Sequence, residues 1–257
     1  MATLVFFHAH PDDEAIGTGG TMAKAATLGH RVVLVVATRG ELGARPPEVV
    51  AAGEDLGERR VAETHAAGDI LGVDRIEFLG YRDSGMMGSP DNGEPGSFWC
   101  ADLDEAAARL AAILNDEHAD LLLIYDENGV TGHPDHIQAH RVGVRAAQVA
   151  ATAEVVEGTL SRSQAARLVR FARGADITDM TLDVDPGDFG TPDDVVTDRI
   201  DVRAYLDRKR RAMAAHASQI SETSVFLSMP PDTFAAVWGE ECLIRRGPAS
   251  EVLAELR

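Results

Sequence analysis

Two short clusters of histidine and aspartate carry the clearest chemistry of this sequence. The first cluster, residues 10–14, reads His-Pro-Asp-Asp-Glu, and the second, residues 132–136, reads Gly-His-Pro-Asp-His. Neutral imidazole and carboxylate are both standard ligands of zinc. An ordinary surface turn explains one or two such residues, but it does not explain two His-Pro-Asp units in one chain. Together the clusters indicate a catalytic metal site with an open coordination position.

The spacing within each cluster indicates which side chains can meet at one point. His10 and Asp13 are three residues apart, so in a turn they can converge while Asp12 projects beside them. A single histidine is more often structural than a ligand, and that alternative applies to His133 or His136 taken alone. The pairing of two clusters favours the metal site, with His10 and Asp13 as candidate ligands.

Both clusters directly follow predicted strands of an α/β fold. Apolar runs rich in valine, leucine and isoleucine alternate with longer alanine-rich segments, which is typical of βα units around a largely parallel sheet. Residues 4–7 are the first predicted strand and residues 121–125 are a later, buried one. Ligands of such sheets bind in a crevice at the carboxyl ends of the strands, so we expect both clusters at one edge.

The remaining predicted elements complete this α/β pattern. Further strands are predicted at residues 31–37, 76–79, 167–172, 195–202 and 242–246, and helices at 18–28, 55–71, 103–117, 135–149 and 203–217. Two long loops, residues 40–54 and 84–97, interrupt the pattern on the side where strands end, and loops of that length tend to be binding elements or disordered. We expect one domain spanning 1–257, with a Rossmann-like core at 1–160 and a smaller C-terminal extension at 161–257.

Composition excludes several classes of partner. The formal net charge of −18 comes from 24 basic and 42 acidic residues, whereas nucleic acids and anionic membranes require clustered positive charge. No stretch reaches the length needed to span a bilayer, and no targeting segment is recognisable. Cys100 and Cys242 are too far apart to indicate a disulfide framework or a thiolate cluster. We expect a cytoplasmic protein with a small-molecule substrate; the sequence leaves the oligomeric state open.

Several segments in family order resemble the PIG-L (LmbE-like) family of zinc N-acetylglucosamine deacetylases. Besides Ala-His-Pro-Asp-Asp-Glu at 9–14 and His-Pro-Asp-His at 133–136, these are Thr-Arg-Gly-Glu at 38–41, Arg60 with Glu63, Gly-Tyr-Arg-Asp-Ser-Gly-Met at 80–86 and Ala-His-Ala-Ser-Gln at 215–219. The resemblance covers most of the chain. It is nearest to the mycothiol branch, whose deacetylases and amidases act on glucosaminyl-inositol compounds.

The resemblance implies a metal and a general base. His10, Asp13 and His136 would bind zinc, with water in the remaining position, and Asp12 would be the catalytic base that takes a proton from that water. Iron(II) or cobalt(II) would also suit ligands of this type. The implied reaction is the hydrolysis of an N-acetyl group from an N-acetylglucosamine-containing small molecule.

The resemblance also implies roles for residues around the metal. His133, held as an imidazolium by nearby acid such as Asp135, would stabilise the oxyanion. Either Asp12 or His133 would protonate the leaving amine. Arg60 and Asp83 would bind the sugar hydroxyls, although a surface salt bridge is the alternative for Arg60.

One position departs from the mycothiol branch. Those enzymes carry a tyrosine two residues before the first histidine of the second cluster, where this chain has Thr131. Threonine is too short to reach the reacting carbonyl in the same way, so His133 carries the oxyanion alone or another group contributes. Two alternatives to the deacetylase follow: an amidase of a thiol conjugate with a larger acyl group, or a non-catalytic Rossmann-like sugar- or nucleotide-binding protein with a closed structural metal site.

Overall fold

A computed structural model describes residues 1–152, 154–175, 177 and 190–257. The strands of the described part are β1 (Thr3–His8), β2 (Arg31–Thr38), β3 (Arg75–Tyr81), β4 (Leu121–Tyr125), β5 (Glu154–Thr159), β6 (Asp198–Asp201) and β7 (Glu240–Arg245). They form one sheet in the order β3-β2-β1-β4-β5-β7-β6. Strands β1 to β5 pair in parallel, and β7 runs antiparallel to both β5 and β6. The predicted α/β class with a largely parallel sheet is confirmed.

Helices cover both faces of this sheet. They are α1 (Gly19–Thr27), α2 (Leu56–Leu71), α3 (Leu103–Asp116), the single turn α4 (Gly129–Gly132), α5 (Pro134–Ala150), α6 (Arg162–Gly174), α7 (Leu206–Ala215), α8 (Pro231–Trp238) and α9 (Glu251–Leu256). Alternate residues of β1 enter different cores: Leu4 and Phe6 pack with α1, α2 and α6 to α9, whereas Val5 and Phe7 pack with α3 and α5. Because β1 is buried on both faces, its sequence is a continuous run of apolar residues.

Strand order places a crevice between β1 and β4. From β1 the chain builds β2 and β3 on one side of the sheet, and it then crosses to build β4 and β5 on the other side of β1. The carboxyl ends of β1 and β4 therefore flank a topological switch point, where parallel sheets bind their ligands. Both histidine-aspartate clusters follow these two strands.

Local signals account for the elements that were predicted well. Helix α2 begins after Asp55, whose side chain accepts a hydrogen bond from Glu58 N, and it ends at Gly72 in the left-handed conformation. Strand β4 spans the predicted residues 121–125, since five buried apolar residues lie between polar turns. Helix α5 begins at Pro134, one residue earlier than predicted, because proline is favoured in the first turn of a helix.

The main differences between predicted and observed secondary structure lie in the C-terminal part of the chain. The strand predicted at 167–172 is wrong, because these residues lie within α6, which begins with a capping box between Ser161 and Gln164 and buries Leu168 and Val169 on one face. Strand β5 and helices α8 and α9 were not predicted. The apolar pattern of β5 is broken by the buried Glu157, whose charge is paired with Arg246. Strands β6 and β7 extend the sheet of the N-terminal core.

No helix in the described residues is both long enough and apolar enough to cross a bilayer. Location in the cytoplasm stays a prediction.

Glu117 links α3 to the neighbouring strands β2 and β3. Its carboxylate accepts a hydrogen bond from Arg31 Nε at 2.6 Å and forms an ion pair with Arg75 Nη1 at 2.8 Å. The hydrogen bond from Arg31 contributes most, and with the Arg75 guanidinium it lowers the pKa of the Glu117 carboxyl to about 2, below its usual value.

We expect Glu117→Gln to lower the free energy of unfolding at pH 7 by about 1 kcal/mol, because it removes the charge that both arginines share. The folded-state pKa is depressed, so this stabilisation is present above the unfolded-state pKa of about 4.3 and is lost as the pH falls toward about 2. Urea titrations of both proteins from pH 7 to pH 2 should therefore show a difference that shrinks below about pH 4 and is smallest at the lowest pH. Glu48→Gln is the control, since Glu48 is exposed with no ion pair among the described residues. A pH-independent difference contradicts the assignment.

Candidate metal centre

The first cluster forms a tight turn between β1 and a π-helical segment, Glu14–Thr18. His10 N donates a hydrogen bond to Asp13 Oδ2 at 2.9 Å, and Asp12 N donates to Glu14 Oε2 at 2.9 Å. Asp12 has a φ of 99°, which is costly for a residue other than glycine. Such strain persists only where the surroundings impose it, and it concentrates at functional sites.

Arg60 of α2 holds this turn in place through hydrogen bonds and an ion pair. Its Nη2 donates to the carbonyl of Pro11 and lies 3.3 Å from Asp12 Oδ1, while its Nη1 donates to the carbonyl of Gly40 at 2.8 Å. Gly40 has a φ of 64°, and a Cβ there would lie 2.1 Å from Arg60 Nη1, so only glycine allows this approach. Arg60 is 4% exposed, so the surface salt bridge considered for it is wrong. Its neighbour Arg59 forms the more exposed ion pairs.

The second cluster is set by the start of α5. His133 is the N-cap residue, and its Nδ1 accepts a hydrogen bond from Asp135 N at 3.1 Å. Nδ1 of His136 donates a hydrogen bond to the carbonyl of Gly129 at 3.1 Å, and this contact fixes the orientation of the ring. Its ring stacks on Tyr125, with centroids 4.4 Å apart. A Cβ on Gly129 would come within 2.6 Å of His136 Cβ, which explains glycine in this turn.

The two clusters meet around Asp13. Its Oδ2 lies 3.3 Å from His10 Nδ1 and 3.3 Å from His136 Nε2. The structure therefore brings together the three residues that the sequence resemblance implied as metal ligands. On the opposite side of its ring, His10 Nε2 lies 3.1 Å from Asp135 Oδ2 and 3.7 Å from Asp83 Oδ1.

Besides the trio around Asp13, two overlapping sets of donor atoms lie close enough together to hold a metal ion. One set comprises nitrogens of His10, His133 and His136, and the other comprises His10, Asp83 and Asp135; within each, the donor atoms lie within 4.8 Å of one another. Mixed imidazole and carboxylate donors suit zinc and similar divalent ions. Asp135 Oδ1 is buried with no hydrogen-bond partner in the described structure, which leaves a free lone pair for a cation. The residues present fit a divalent metal.

The electrostatics of the cluster also favour a positive charge. Burial alone would lower the pKa of His10, but hydrogen bonds to Asp13 and Asp135 outweigh burial and raise that pKa to about 10. Burial would raise the pKa of Asp13, yet His136 and His10 hold it well below its usual value. The Asp13 carboxylate thus stays ionised and attracts a cation.

Asp12 lies beside this cluster, as the spacing predicted. Burial raises the pKa of its carboxyl to about 6, and the neighbouring carboxylates Asp13 and Glu14 add to the shift, while Arg60 and His216 oppose it. A carboxyl group with a pKa near neutrality is suited to exchanging protons at physiological pH.

The expectation that Asp135 holds His133 as an imidazolium needs correction. The Asp135 carboxylate accepts a hydrogen bond from Ser84 N at 3.0 Å and contacts His10. The His133 ring instead accepts from the backbone N–H of Asp135 and packs against the rings of His10 and His136. Burial, together with the nearby His10 and His136, lowers the pKa of His133 to about 4. His133 is therefore a neutral imidazole in this arrangement, with its proton on Nε2.

Asp83 connects the cluster to both long loops. Its Oδ2 accepts a hydrogen bond from Leu42 N at 3.2 Å and its Oδ1 accepts one from Gly85 N at 2.8 Å. Asp83 is 5% exposed and borders His10. The loops at 40–54 and 84–97 are thus tied to the metal cluster, as expected for binding elements.

Two further groups support the site. Residues 215–219 were part of the family resemblance, but a structural role was favoured for His216, and Tyr125 was given no role. The Tyr125 hydroxyl donates to Asp13 Oδ2 at 2.8 Å and accepts from Ala9 N at 3.0 Å. His216 Nε2 lies 2.5 Å from Glu14 Oε1, and both side chains are fully buried. Tyr125 could have been found as the polar last residue of a buried strand. His216 comes from a distant segment, and no sequence signal pairs it with Glu14.

Comparisons with known proteins identify the family. Residues 5–147 match the family model described as PIG-L: GlcNAc-PI de-N-acetylase. A protein of Acidothermus cellulolyticus named 1D-myo-inositol 2-acetamido-2-deoxy-alpha-D-glucopyranoside deacetylase is 45% identical, over 97% of this chain and 90% of that protein. The chain belongs to the PIG-L family. A protein of the same name from Thermobifida fusca is also 45% identical, over 85% of this chain and 83% of its own length.

Solved structures share the fold of this PIG-L chain. N,N'-diacetylchitobiose deacetylase from Pyrococcus horikoshii superposes with a TM-score of 0.57 at 23% identity, covering 92% of this chain and 73% of that one. The 4-carboxy-2-hydroxymuconate hydratase from Pseudomonas putida KT2440 gives a TM-score of 0.63 at 18% identity, covering 97% and 98%. At these identities the likeness concerns the fold alone. The predicted family and enzyme class, an amide hydrolase of the deacetylase type, are confirmed by the family match and the curated relatives.

The Tyr125 hydroxyl offers a stability test of the site geometry. We expect Tyr125→Phe to lower the free energy of unfolding by about 1–3 kcal/mol, because Ala9 N–H and Asp13 each lose a buried hydrogen-bond partner. Tyr81→Phe is the matched control, since the Tyr81 hydroxyl is buried without a partner in the described structure. Urea denaturation measures both changes. Equal effects of the two substitutions would show that the Tyr125 contacts contribute nothing.

Proposed function

We propose that this PIG-L chain removes the N-acetyl group from an N-acetylglucosaminyl-inositol compound, at a zinc ion held by His10, Asp13 and His136. The observation that carries the proposal is the convergence of Asp13 Oδ2 with His10 Nδ1 and His136 Nε2, at 3.3 Å each. The names of the relatives from Acidothermus cellulolyticus and Thermobifida fusca support the substrate class. Iron(II) or cobalt(II) would fit the same donors.

Asp12 is the proposed general base. A zinc ion bound beside it would polarise the acetyl carbonyl and make a water molecule more acidic. Asp12 accepts a proton from the attacking water, whose oxygen bonds to the acyl carbon. The carbon–nitrogen bond breaks, and both protons of the water end on the amine nitrogen. The products are acetate and a protonated glucosaminyl amine.

His133 stabilises the oxygen of the reacting carbonyl as a neutral donor in this proposal. Its Nδ1 accepts from Asp135 N, so Nε2–H is free to donate to an oxyanion. A neutral imidazole donor avoids placing another positive charge beside a metal ion bound at the cluster. The carboxylate of Asp135 positions His10 instead.

The two proposed sugar contacts differ in their surroundings. Asp83 borders His10 at the junction of the two long loops, which supports a contact with a sugar hydroxyl. Arg60 directs its guanidinium at Pro11, Asp12 and Gly40, so its support for the reaction lies in holding the base in its strained turn. Contact of Arg60 with the sugar stays a prediction.

Asp12→Asn tests the assignment of the base. We expect the variant to retain its metal and to lose about 100-fold or more in kcat, because an amide accepts no proton and no metal ligand is changed. Metal content by atomic emission and amine release under saturating substrate measure the two effects. Asp207→Asn is the control, since the Asp207 side chain is exposed on α7. Undiminished turnover of Asp12→Asn contradicts the mechanism.

The substrate class is tested by measuring free amine released from a panel of N-acetylglucosaminides, including the inositol-linked compound, alongside an amide-linked thiol conjugate. The proposal predicts the highest kcat/KM for the inositol-linked acetamide. Preferential cleavage of the thiol conjugate would assign the chain as an amidase. Release from none of the compounds by the metal-loaded protein would contradict the proposed function.

A further inference from the structure

An apolar cavity of about 210 Å³ opens directly beside the metal cluster. Asp13 and His136 line it, together with Thr131. The remainder of its wall is mainly hydrophobic, from Ile16, Leu123, Leu160, Leu168, Phe226 and Trp238. The cavity lies against β4 and β5, on the face of the sheet that carries α6 and α8.

The two sides of the metal cluster therefore differ in chemistry. On one side, His10 Nε2 faces the carboxylates of Asp83 and Asp135, at 3.7 and 3.1 Å. On the other side, Asp13 and His136 open onto the apolar cavity. An N-acylated sugar has the same asymmetry about its amide carbonyl, with a hydroxyl-rich ring on the nitrogen side and a hydrocarbon group on the acyl side. Matching polarity directs the acyl group into the cavity.

The cavity is much larger than an acetyl group requires. Apolar cavities of about 150 Å³ stay dry and bind benzene, a molecule of six carbons. A volume of about 210 Å³ thus accommodates a linear chain of about six carbons. An acetyl methyl group alone would leave most of this hydrophobic wall without contact.

We propose that the cavity is an acyl-binding pocket and that the protein hydrolyses N-acylglucosaminides carrying linear acyl chains of about four to six carbons as well as the acetylated compound. This inference rests on the proposed function, because it uses the same metal centre and base. The bond changes are those of deacetylation: water oxygen bonds to the acyl carbon, the carbon–nitrogen bond breaks, and a fatty carboxylate and a protonated amine leave.

The unmodified, metal-loaded protein gives the first test. Glucosaminyl-inositol carrying acetyl, butyryl, hexanoyl or decanoyl groups is supplied, and the amine released is measured for KM and kcat. We expect KM to fall about fourfold per added methylene up to hexanoyl, which corresponds to about 0.8 kcal/mol per buried methylene. Decanoyl should be cleaved less well than hexanoyl, because it exceeds the cavity.

The outcomes separate this inference from the function on which it rests. A continuous fall in kcat/KM from acetyl to hexanoyl overturns the acyl pocket and leaves the deacetylase standing. Failure to release amine from every compound, acetyl included, overturns the proposed function and the pocket with it.

A cavity-filling variant gives the second test. Gly17 lines the cavity, and a Cβ added there would meet only His8 Cε1, at 4.0 Å, so Gly17→Val should enter open space. We expect the ratio of kcat/KM for hexanoyl over acetyl to fall at least about tenfold. Gly247→Val is the matched control, since no heavy atom of the described structure lies within 4 Å of its added Cβ. An unchanged ratio in a Gly17→Val protein of wild-type melting temperature overturns the pocket.

Discussion

Three consecutive carboxylates at the end of β1 impose the constraint on which the rest of the site depends. Asp12, Asp13 and Glu14 are largely buried, and buried charges are stable only when they are paired and hydrogen-bonded. Arg60 from α2 lies against Asp12, the Tyr125 hydroxyl from β4 against Asp13, and a histidine that follows α7 against Glu14. Elements distant in the sequence must therefore dock at this turn. Asp13 alone has two imidazoles beside it, which is where a metal ion would complete the balance of charge.

Much of the architecture follows from local rules, and the exceptions are residues that act through distant partners. Helix α2 was predictable because Asp55 caps it and Gly72 ends it, and β4 because four consecutive leucine and isoleucine residues precede Tyr125. Strand β5 was hidden because Glu157 is buried there and paired with Arg246, nearly ninety positions along the chain. Sequence periodicity carries no signal of such a pair, so β5 was missed, although strands were predicted where β6 and β7 lie farther out in the same sheet.

In the site, too, some features follow from local sequence rules and others depend on distant partners. Two His-Pro-Asp units after two strands were sufficient to predict that the two clusters would meet, because parallel strands end at one edge of a sheet. The choice of His136 as the partner of His10 and Asp13 came from the family resemblance. The partners of each side chain were not predictable. Asp135 contacts His10 instead of the His133 ring, since the N-cap geometry of α5 turns the ring of His133 toward the backbone. The distribution of protons in the cluster depends on such contacts, and a single sequence does not contain them.

In the proposed function, the ends of β1 and β4 build one catalytic metal centre. Anomalous diffraction at the zinc edge, from crystals of the zinc-loaded protein, tests it most directly because it locates the ion and its ligands without reference to activity. We expect one zinc ion per chain bound by His10, Asp13 and His136, with a coordination position open to solvent. A zinc ion enclosed by four protein ligands, or one held by His10, Asp83 and Asp135, would contradict it.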